Sequence, residues 1–257
     1  MLSVAYYQAP ITKFNASSTE QIPGELAAQN KFSLEGTQRD AWVGQINLLQ
    51  GELSGFDDGM IFFEFSIPRM GKRADVVILI EGVVFVIEFK VGSISFDSAS
   101  IRQVHDYALD LKNFHRGSHQ LPIVPILIAT KAKAVDVSEL SWADDLVAEP
   151  LLCAALGLRV LLESCLAQSG DLSLTTEVNV EPWAMSGYLP TPTIVEAAQA
   201  LYQNHSVEEI ARSDAGAKNL NATTQCLRDI ISAAHDAGEK TICFVTGIVP
   251  AYPAIRR

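Results

Sequence analysis

The chain has 257 residues, of which 48% are hydrophobic and 19% charged, with 19 Lys and Arg against 30 Asp and Glu. This composition supports a folded core and excludes an intrinsically disordered protein. The formal net charge of −11 excludes a surface that is basic throughout. No apolar run reaches the length of a membrane span, and the N-terminus lacks the features of a signal peptide, so we expect a cytoplasmic protein without a membrane partner.

The first predicted elements are a helix and three strands. Residues 37–53 carry apolar side chains at helical spacing behind a capping residue, Thr37. Residues 61–68, 73–80 and 83–91 are rich in Val, Ile and Phe and are separated by turn-prone residues, which is typical of strands. The last two are apolar on both faces, which predicts that they lie in the middle of a sheet.

A further helix and strand complete the predicted core. Residues 98–114 return to helical spacing, and residues 121–130 form another apolar strand. The order helix, three strands, helix, strand predicts a mixed α/β fold with a central mixed sheet flanked by helices. Beyond this core we expect helices over 151–168, 192–203, 206–212 and 221–237, and strands over 174–181 and 240–247. We divide the chain into a domain of residues 1–190 and a helical segment, 191–257, that ends in a strand.

Two carboxylates meet in the predicted central hairpin. Glu81 and Gly82 are typical of a two-residue turn between the two apolar strands. If the residues on either side of that turn pair with each other, Asp75 lies opposite Glu88. Opposed Cβ atoms are about 4.5–5.5 Å apart, so the two acids can share one hard divalent cation. Without such a cation, two like charges in a central sheet destabilise it.

A lysine shares the face of these acids. Lys90 lies two residues beyond Glu88, and the same register places Arg73 opposite it. An ammonium group beside a metal and a phosphate can stabilise developing negative charge or orient the attacking water. Taken alone, the same residues also fit a sheet edge with ordinary solvated ion pairs.

The hairpin resembles that of the PD-(D/E)XK nuclease superfamily, which presents an Asp and a Glu-x-Lys on adjacent strands. Asp75, Glu88 and Lys90 match those positions, with Ala74 where the family name has Pro. The resemblance implies a restriction-endonuclease-like core of order α-β-β-β-α-β. It also implies that Asp75 and Glu88 hold Mg²⁺ or Mn²⁺, helped by the carbonyl of Phe89.

The helix after the hairpin extends the resemblance. Gln103 and Tyr107 match the Gln-x-x-x-Tyr motif of the RecB-type exonuclease branch, and their i, i+4 spacing puts them on one helical face. The resemblance implies that both are catalytic-site residues that orient the lysine or the substrate. It also implies a further metal ligand from the first helix, for which Glu25 is the candidate, although a solvated Glu25 is the alternative. Glu64, on the first predicted strand, is a weaker rival for this role.

Longer stretches, among them FFEFSIPRMGKRADVVILI, FVIEFKVG and DYALDLKNFHRGSH, resemble the N-terminal half of a bacterial family of uncharacterised Schlafen-like DNA/RNA helicase proteins. This resemblance covers nearly the whole chain. In that family a P-loop ATPase domain follows the stretch that matches CFVTG, whereas this chain reads GIVPAYPAIRR and has no GxxxxGK[ST] motif. We therefore expect no ATP binding by this chain, and a helicase or ATPase as an implied partner.

Basic and histidine side chains in and after the second predicted helix suggest two other kinds of site. His105, His115 and His119 are candidate zinc ligands, although two of them flank a probable loop glycine. With Lys112 and Arg116 they are also candidate contacts to a nucleic-acid backbone.

Two functions of different classes are consistent with these residues. The first is a metal-dependent nuclease that hydrolyses phosphodiester bonds of DNA or RNA. The second is a catalytically silent nuclease-like module that binds nucleic acid or a partner and regulates a helicase or ATPase. Residues 61–120, which contain the predicted site, carry seven basic and seven acidic residues, so the excess negative charge lies elsewhere in the chain.

Overall fold

The computed structural model describes residues 4–18, 20–29, 36–67, 71–135, 140–170, 183–188, 217–238 and 240–243. The chain divides into two compact units, Met1–Ser213 and Asp214–Arg257. The predicted domain boundary at residue 190 lies outside the described residues, as do the strand predicted at 174–181 and the helices predicted at 192–203 and 206–212.

The first unit is a mixed α/β structure. Its elements, in chain order, are β1 Tyr7–Pro10, α1 Ile11–Ala16, α2 Gln21–Gln29, α3 Gly36–Glu52, β2 Met60–Ile67, β3 Lys72–Ile80, β4 Val83–Lys90, α4 Ser98–Phe114, β5 Ile123–Ala129, β6 Leu151–Ala154 and α5 Leu158–Ser169. The second unit contains α6, Ala217–Ala237. The predicted order of helix, three strands, helix and strand is found in α3 to β5.

Six strands form one sheet in the order β1-β2-β3-β4-β5-β6. The pairs from β1 to β4 are antiparallel, whereas β4, β5 and β6 are parallel. The prediction that β3 and β4 are central is confirmed: β4 is buried up to its last residue, and β3 is buried from Val76 to Ile80. A strand that is covered on both faces needs apolar side chains on both, which is why these two show no polar alternation.

Helices cover both faces of the sheet. One apolar core joins a face of the sheet to α1, α2, α3 and α5, and a second core joins the other face to α4. On α4, the apolar stripe that faces the sheet consists of Val104, Tyr107, Ala108 and Leu111. The Asp97 side chain caps this helix by accepting a hydrogen bond from the backbone N–H of Ser100 at 2.8 Å.

The helix predicted over 151–168 is wrong in its first part. Residues 151–154 form β6, which pairs in parallel with β5, and the helix starts only at Leu158. Gly157, with φ at +123°, separates the two elements. A continuous apolar run fits a buried strand and a buried helix equally well, so periodicity did not distinguish them.

The C-terminal predictions have mixed outcomes. The helix predicted over 221–237 is confirmed as α6, and it ends at Gly238 with φ at +66°. Of the strand predicted over 240–247, residues 240–243 have no regular structure and the others lie outside the described residues. Within the described part of the chain, no helix combines the length and the apolar character needed to cross a bilayer.

Candidate functional site

The predicted hairpin turn and its register are both confirmed. Glu81 and Gly82 have φ values of +49° and +78°, as a two-residue turn of the type that suits twisted strands requires. Ile80 pairs with Val83, and the same register continues along the hairpin toward the site. The tight turn thereby fixes Asp75 and Glu88 at the same level of the sheet.

The ladder between β3 and β4 opens at that level. Its pairs end at Val76 and Ile87, one step before the two acids. The Asp75 Oδ2 atom instead accepts a hydrogen bond from the backbone N–H of Phe89 at 2.8 Å. A side-chain carboxylate thus takes the place of a backbone acceptor, and this fixes Asp75 beside the end of β4.

The neighbouring strand is irregular at the same level. The pairing of β2 with β3 skips one residue in each strand, Glu64 and Asp75, and is regular on both sides of them. Glu64 has φ at +53°, a conformation that side chains other than Gly and Asn rarely adopt. Backbone irregularities of this kind concentrate where a site redirects its side chains.

Lys90 and Glu88 form an ion pair at the end of β4. The Lys90 Nζ lies 3.0 Å from Glu88 Oε1 and also donates to Gln103 Oε1 at 3.3 Å. Glu88 is only 5% exposed, whereas the Lys90 side chain is 29% exposed. The ammonium group therefore links the buried carboxylate to the surface.

Gln103 and Tyr107 reach this ion pair from α4. The Gln103 amide donates from Nε2 to Glu88 Oε1 and to the Tyr107 hydroxyl, both at 2.9 Å. Burial raises the pKa of Tyr107 to about 12, so its hydroxyl stays protonated. Five predicted site residues are thus together, and we name them the carboxylate cluster. Its members are Asp75, Glu88, Lys90, Gln103 and Tyr107.

Both acids of the carboxylate cluster are held in an unfavourable environment. Burial raises the pKa of Asp75 well above its ordinary value, and the charge of Glu88 raises it further. Burial also raises the pKa of Glu88, although Lys90 partly offsets this effect. The folded chain therefore resists carrying two negative charges here unless something positive joins them.

The open oxygen atoms of the cluster suit a hard divalent cation. The Glu88 Oε2 atom is buried and has no hydrogen-bond partner among the described residues. The Asp75 carboxylate accepts the hydrogen bond from the Phe89 N–H at Oδ2, so within the described chain its Oδ1 is the oxygen open to a cation. Mg²⁺ commonly uses one or two carboxylates together with waters and phosphate oxygens, so two acids and the Phe89 carbonyl are a suitable donor set. Within the described residues, no three His, Cys, Asp or Glu side chains form a metal site by themselves.

The charge of Glu64 acts on Asp75 and Glu88, whereas Glu25 lies apart from them. Glu25 is exposed on α2, accepts a hydrogen bond from Gln21 Nε2 at 3.0 Å, and is not brought to the carboxylate cluster. By contrast, the charge of Glu64 raises the pKa of both Asp75 and Glu88. The sequence signal for this preference is the level of Glu64 on β2, directly across from Asp75.

Glu64 is held by two groups outside the carboxylate cluster. Its Oε1 accepts from Trp42 Nε1 at 3.0 Å, and its backbone carbonyl accepts from Arg73 Nη1 at 2.8 Å. Burial raises the pKa of Glu64, while these two neighbours lower it. The expectation that Arg73 opposes Lys90 is wrong, because the pairing of β3 with β4 ends at Val76 and Ile87, and the Arg73 guanidinium lies 4.0 Å from the centre of the Tyr6 ring.

A second buried polar cluster lies at the C-terminal end of α4, and we name it the His115 cluster. Its members are His115, Ser118, Trp183 and Ser186. The His115 Nδ1 lies 2.7 Å from Ser118 Oγ, and its Nε2 lies 3.2 Å from Ser186 Oγ. Trp183 Nε1 donates to Ser118 Oγ at 3.2 Å. Each ring nitrogen of the histidine therefore has a hydroxyl partner.

Burial argues against the surface roles predicted for two of the five basic residues, His115 and Lys112, whereas Arg116 is exposed. His115 is 2% exposed, and burial with the nearby charge of His119 lowers its pKa to about 4. Lys112 is also buried and donates to the Leu121 carbonyl at 2.8 Å. Neither side chain is presented at the surface to a nucleic-acid backbone.

A cavity with few ionisable lining residues lies at the opposite end of the sheet. It is lined by the hairpin turn at Glu81 and Gly82, by Pro122 and by the end of α5 at Ser169. Among the described residues that line it, Glu81 is the one ionisable side chain. The candidate site is therefore the carboxylate cluster at the other end of the hairpin.

Comparison with known proteins adds no relative. No protein-family model, no curated protein and no solved structure matches this chain.

Proposed function

We propose that this chain is a metal-dependent nuclease that hydrolyses phosphodiester bonds of DNA or RNA. The observation that carries the proposal is the buried Glu88 Oε2, which has no hydrogen-bond partner among the described residues and lies in a cluster with Asp75 and Lys90. A buried carboxylate oxygen without a donor is costly, and a bound cation that it coordinates removes this cost.

A restriction-endonuclease-like core is part of the same proposal. It is supported by the order of α3, three strands, α4 and β5, with the two motif-bearing strands in the centre of a mixed sheet. It is further supported by α4, which brings the Gln and Tyr of the helix motif to the Glu and Lys of the strand motif.

Each residue of the carboxylate cluster has a defined role in this reaction. Asp75 and Glu88, with the Phe89 carbonyl, would hold Mg²⁺ or Mn²⁺, which when bound lowers the pKa of water and neutralises charge on phosphate oxygens. Lys90 uses two of its three N–H donors on Glu88 and Gln103, and the third remains to stabilise negative charge on the phosphate.

Gln103 and Tyr107 are positioning residues. Gln103 contacts both members of the ion pair, so it fixes the lysine relative to the carboxylate. Tyr107 is 2% exposed and accepts from the Gln103 amide, which orients that amide. The chain of contacts runs from the core of α4 to the reacting end of Lys90.

The test is hydrolysis of labelled oligonucleotides and of bis(4-nitrophenyl) phosphate with Mn²⁺. Wild type is expected to cleave both, and Glu88→Gln to lose on the order of 100-fold or more in kcat/KM, because the substitution removes the charge that holds the cation. Glu163→Gln is the matched control, since Glu163 is an exposed acid on α5. Equal activity of wild type and Glu88→Gln would end the proposal.

Calorimetric titration with Mn²⁺ separates the nuclease from a silent module. Binding to wild type that is lost in Asp75→Ala, together with turnover, supports the nuclease. Binding of oligonucleotide without any turnover favours instead the nuclease-like module that regulates a helicase or ATPase.

A further inference from the structure

The loop after β5 brings two lysines to the end of the sheet that contains the carboxylate cluster. The last residue of β5, Ala129, pairs with Lys90 in the parallel ladder. Lys131 and Lys133 follow within four residues, and both side chains are exposed. They therefore lie beyond the same end of the sheet as the Lys90 ammonium.

Two further cations reach that end from other elements. Lys72 begins β3 and is exposed, three residues before Asp75. Arg102 is exposed on α4, next to Gln103. We name Lys72, Arg102, Lys131 and Lys133 the basic rim. None of the four forms an ion pair with another described residue.

The loop that joins β4 to α4 presents apolar side chains beside the basic rim. Ile94 is 76% exposed and Val91 is 55% exposed, although both follow a buried central strand. The nearby acid, Asp97, is committed to capping α4 through hydrogen bonds from the Ser100 backbone and hydroxyl. The surface near the two acids thus presents four exposed cations and two exposed apolar side chains, together with the carboxylate of Asp97.

Hydrogen bonds fix this apolar loop to the basic loop. The Gly92 N–H donates to Thr130 Oγ1 at 2.8 Å, and the Lys131 N–H donates to the Ser93 carbonyl at 2.9 Å. Within the loop, Ser93 Oγ donates to the Ser95 carbonyl at 2.7 Å. These hydrogen bonds fix the backbone on both sides of Ile94, so the conformation of the loop itself keeps the Ile94 side chain exposed to solvent.

We propose that the Val91–Phe96 loop and the basic rim bind nucleic acid with unpaired bases, which deepens the proposed function and rests on it. Phosphates along one strand contact the exposed lysines and Arg102, while Ile94 packs against the face of an unstacked base. Apolar side chains that contact nucleic acid act in this way, by inserting where bases are unstacked. A continuous duplex has to open a base step before Ile94 gains the same contact, so single strands are the preferred class of substrate.

The experiment measures binding in EDTA, where the metal centre is silent. Fluorescence anisotropy follows a labelled oligonucleotide, as a single strand and as a blunt duplex, in DNA and RNA versions and over a range of salt concentrations. The variants are Ile94→Ser and Lys131→Gln. The charge-matched control is Lys13→Gln, an exposed lysine on α1, which lies at the hairpin end of the sheet.

The expected result is tighter binding of the single strand than of the duplex. Lys131→Gln reduces the slope of log K against log salt by roughly 0.7, as loss of one phosphate contact to a single strand does. Ile94→Ser weakens single-strand binding by on the order of fivefold through lost apolar contact and leaves the salt slope unchanged. Lys13→Gln matches wild type.

Equal affinity of wild type for single strand and duplex overturns the inference, and so does an equal loss in Lys13→Gln and Lys131→Gln. Wild-type hydrolysis of bis(4-nitrophenyl) phosphate is measured in parallel, because this small diester reports the metal centre without spanning the rim. If wild type hydrolyses the diester but neither Ile94→Ser nor Lys131→Gln changes oligonucleotide binding, the nuclease proposal is supported and this binding surface is excluded. If the variants change binding as expected but wild type does not hydrolyse the diester, the binding surface is supported and the nuclease proposal is excluded.

Discussion

Two polar clusters lie near opposite ends of α4, and they differ in whether the protein satisfies them by itself. In the His115 cluster each ring nitrogen has a hydroxyl partner, and the indole N–H of Trp183 is also used. In the carboxylate cluster the Glu88 Oε2 atom has no partner among the described residues, and the charge of Glu88 raises the pKa of Asp75 beyond the effect of burial.

Burial of polar groups therefore does not by itself mark a functional site. A polar network whose donors and acceptors match internally fixes a structure, here the attachment of residues 183–188 to the end of α4. A network with an excess of negative charge needs another group to complete it. We therefore expect substitutions in the His115 cluster to change the stability of the protein and substitutions in the carboxylate cluster to change its activity.

The largest expected effect on stability comes from His115→Ala. The substitution leaves two serine hydroxyls without their ring partner and removes a side chain that packs edge-on to Trp183 at 4.8 Å between ring centres. We expect a loss of about 3 kcal/mol in the free energy of unfolding, with Mn²⁺-dependent hydrolysis unchanged at temperatures where the variant is folded. Urea denaturation measures the first and the diester assay the second.

His235→Ala is the control for that variant, since His235 is an exposed histidine on α6. A His115→Ala protein that is as stable as His235→Ala, or that loses hydrolysis while folded, would break the division between the two clusters.

The burial of His115 also makes the free energy of unfolding depend on pH. Burial lowers the pKa of His115 to about 4, whereas an unfolded histidine titrates near 6.5. Between these values the unfolded state binds the proton and the folded state does not, so unfolding becomes easier as the pH falls. The contribution is complete above pH 6.5 and is lost at up to about 1.4 kcal/mol per pH unit down to pH 4.

Denaturation of wild type and His115→Asn across this range isolates the contribution. We expect the difference in stability between the two proteins to shrink as the pH falls. A difference that is constant with pH would show that His115 titrates in the folded state as it does in the unfolded state.

A smaller effect on activity is expected from Tyr107→Phe. The substitution removes the hydroxyl that accepts from Gln103 Nε2 and keeps the ring in the core. Gln103 then loses part of its orientation, and kcat falls on the order of 10-fold with KM little changed. Tyr6→Phe is the control, because Tyr6 lies outside the carboxylate cluster. A Tyr107→Phe enzyme with wild-type kcat would show that the Gln103 amide needs no such support.

The smallest expected change is a gain in stability. Asp75→Asn removes one of two like charges that burial disfavours, so in EDTA at neutral pH we expect the variant to unfold about 1 kcal/mol less readily than wild type. Excess Mn²⁺ should reverse the order, since a ligand present at about 100 times its Kd adds about 2.7 kcal/mol to wild type alone. Thermal unfolding with and without Mn²⁺ measures both. A variant that is less stable than wild type in EDTA contradicts the argument.

Local sequence determined most of the core and part of the site. Alternation and apolar runs gave the strands, helical spacing gave α3 and α4, and the Glu81-Gly82 turn gave the register of the hairpin. These features depend on interactions between residues close in the chain, which a sequence displays directly.

The predictions that were wrong depended on neighbours distant in the chain. Residues 151–154 became a strand because β5 offers them an edge to pair with, and Arg73 turned toward β2 because Glu64 and Tyr6 lie there. Lys112 was expected at the surface, but it is buried with its ammonium on the Leu121 carbonyl. None of these partners is within a few residues of the side chain concerned.

By itself, then, the sequence determined that Asp75 and Glu88 meet in a central hairpin with Lys90 beside them, because a two-residue turn leaves one register for the strands. Two further features follow only from the packing of the whole chain: Gln103 contacts both members of the ion pair, and His115 is buried. The physical reason is that these outcomes depend on how the helices pack on the sheet and on what water is excluded, which chain order does not specify.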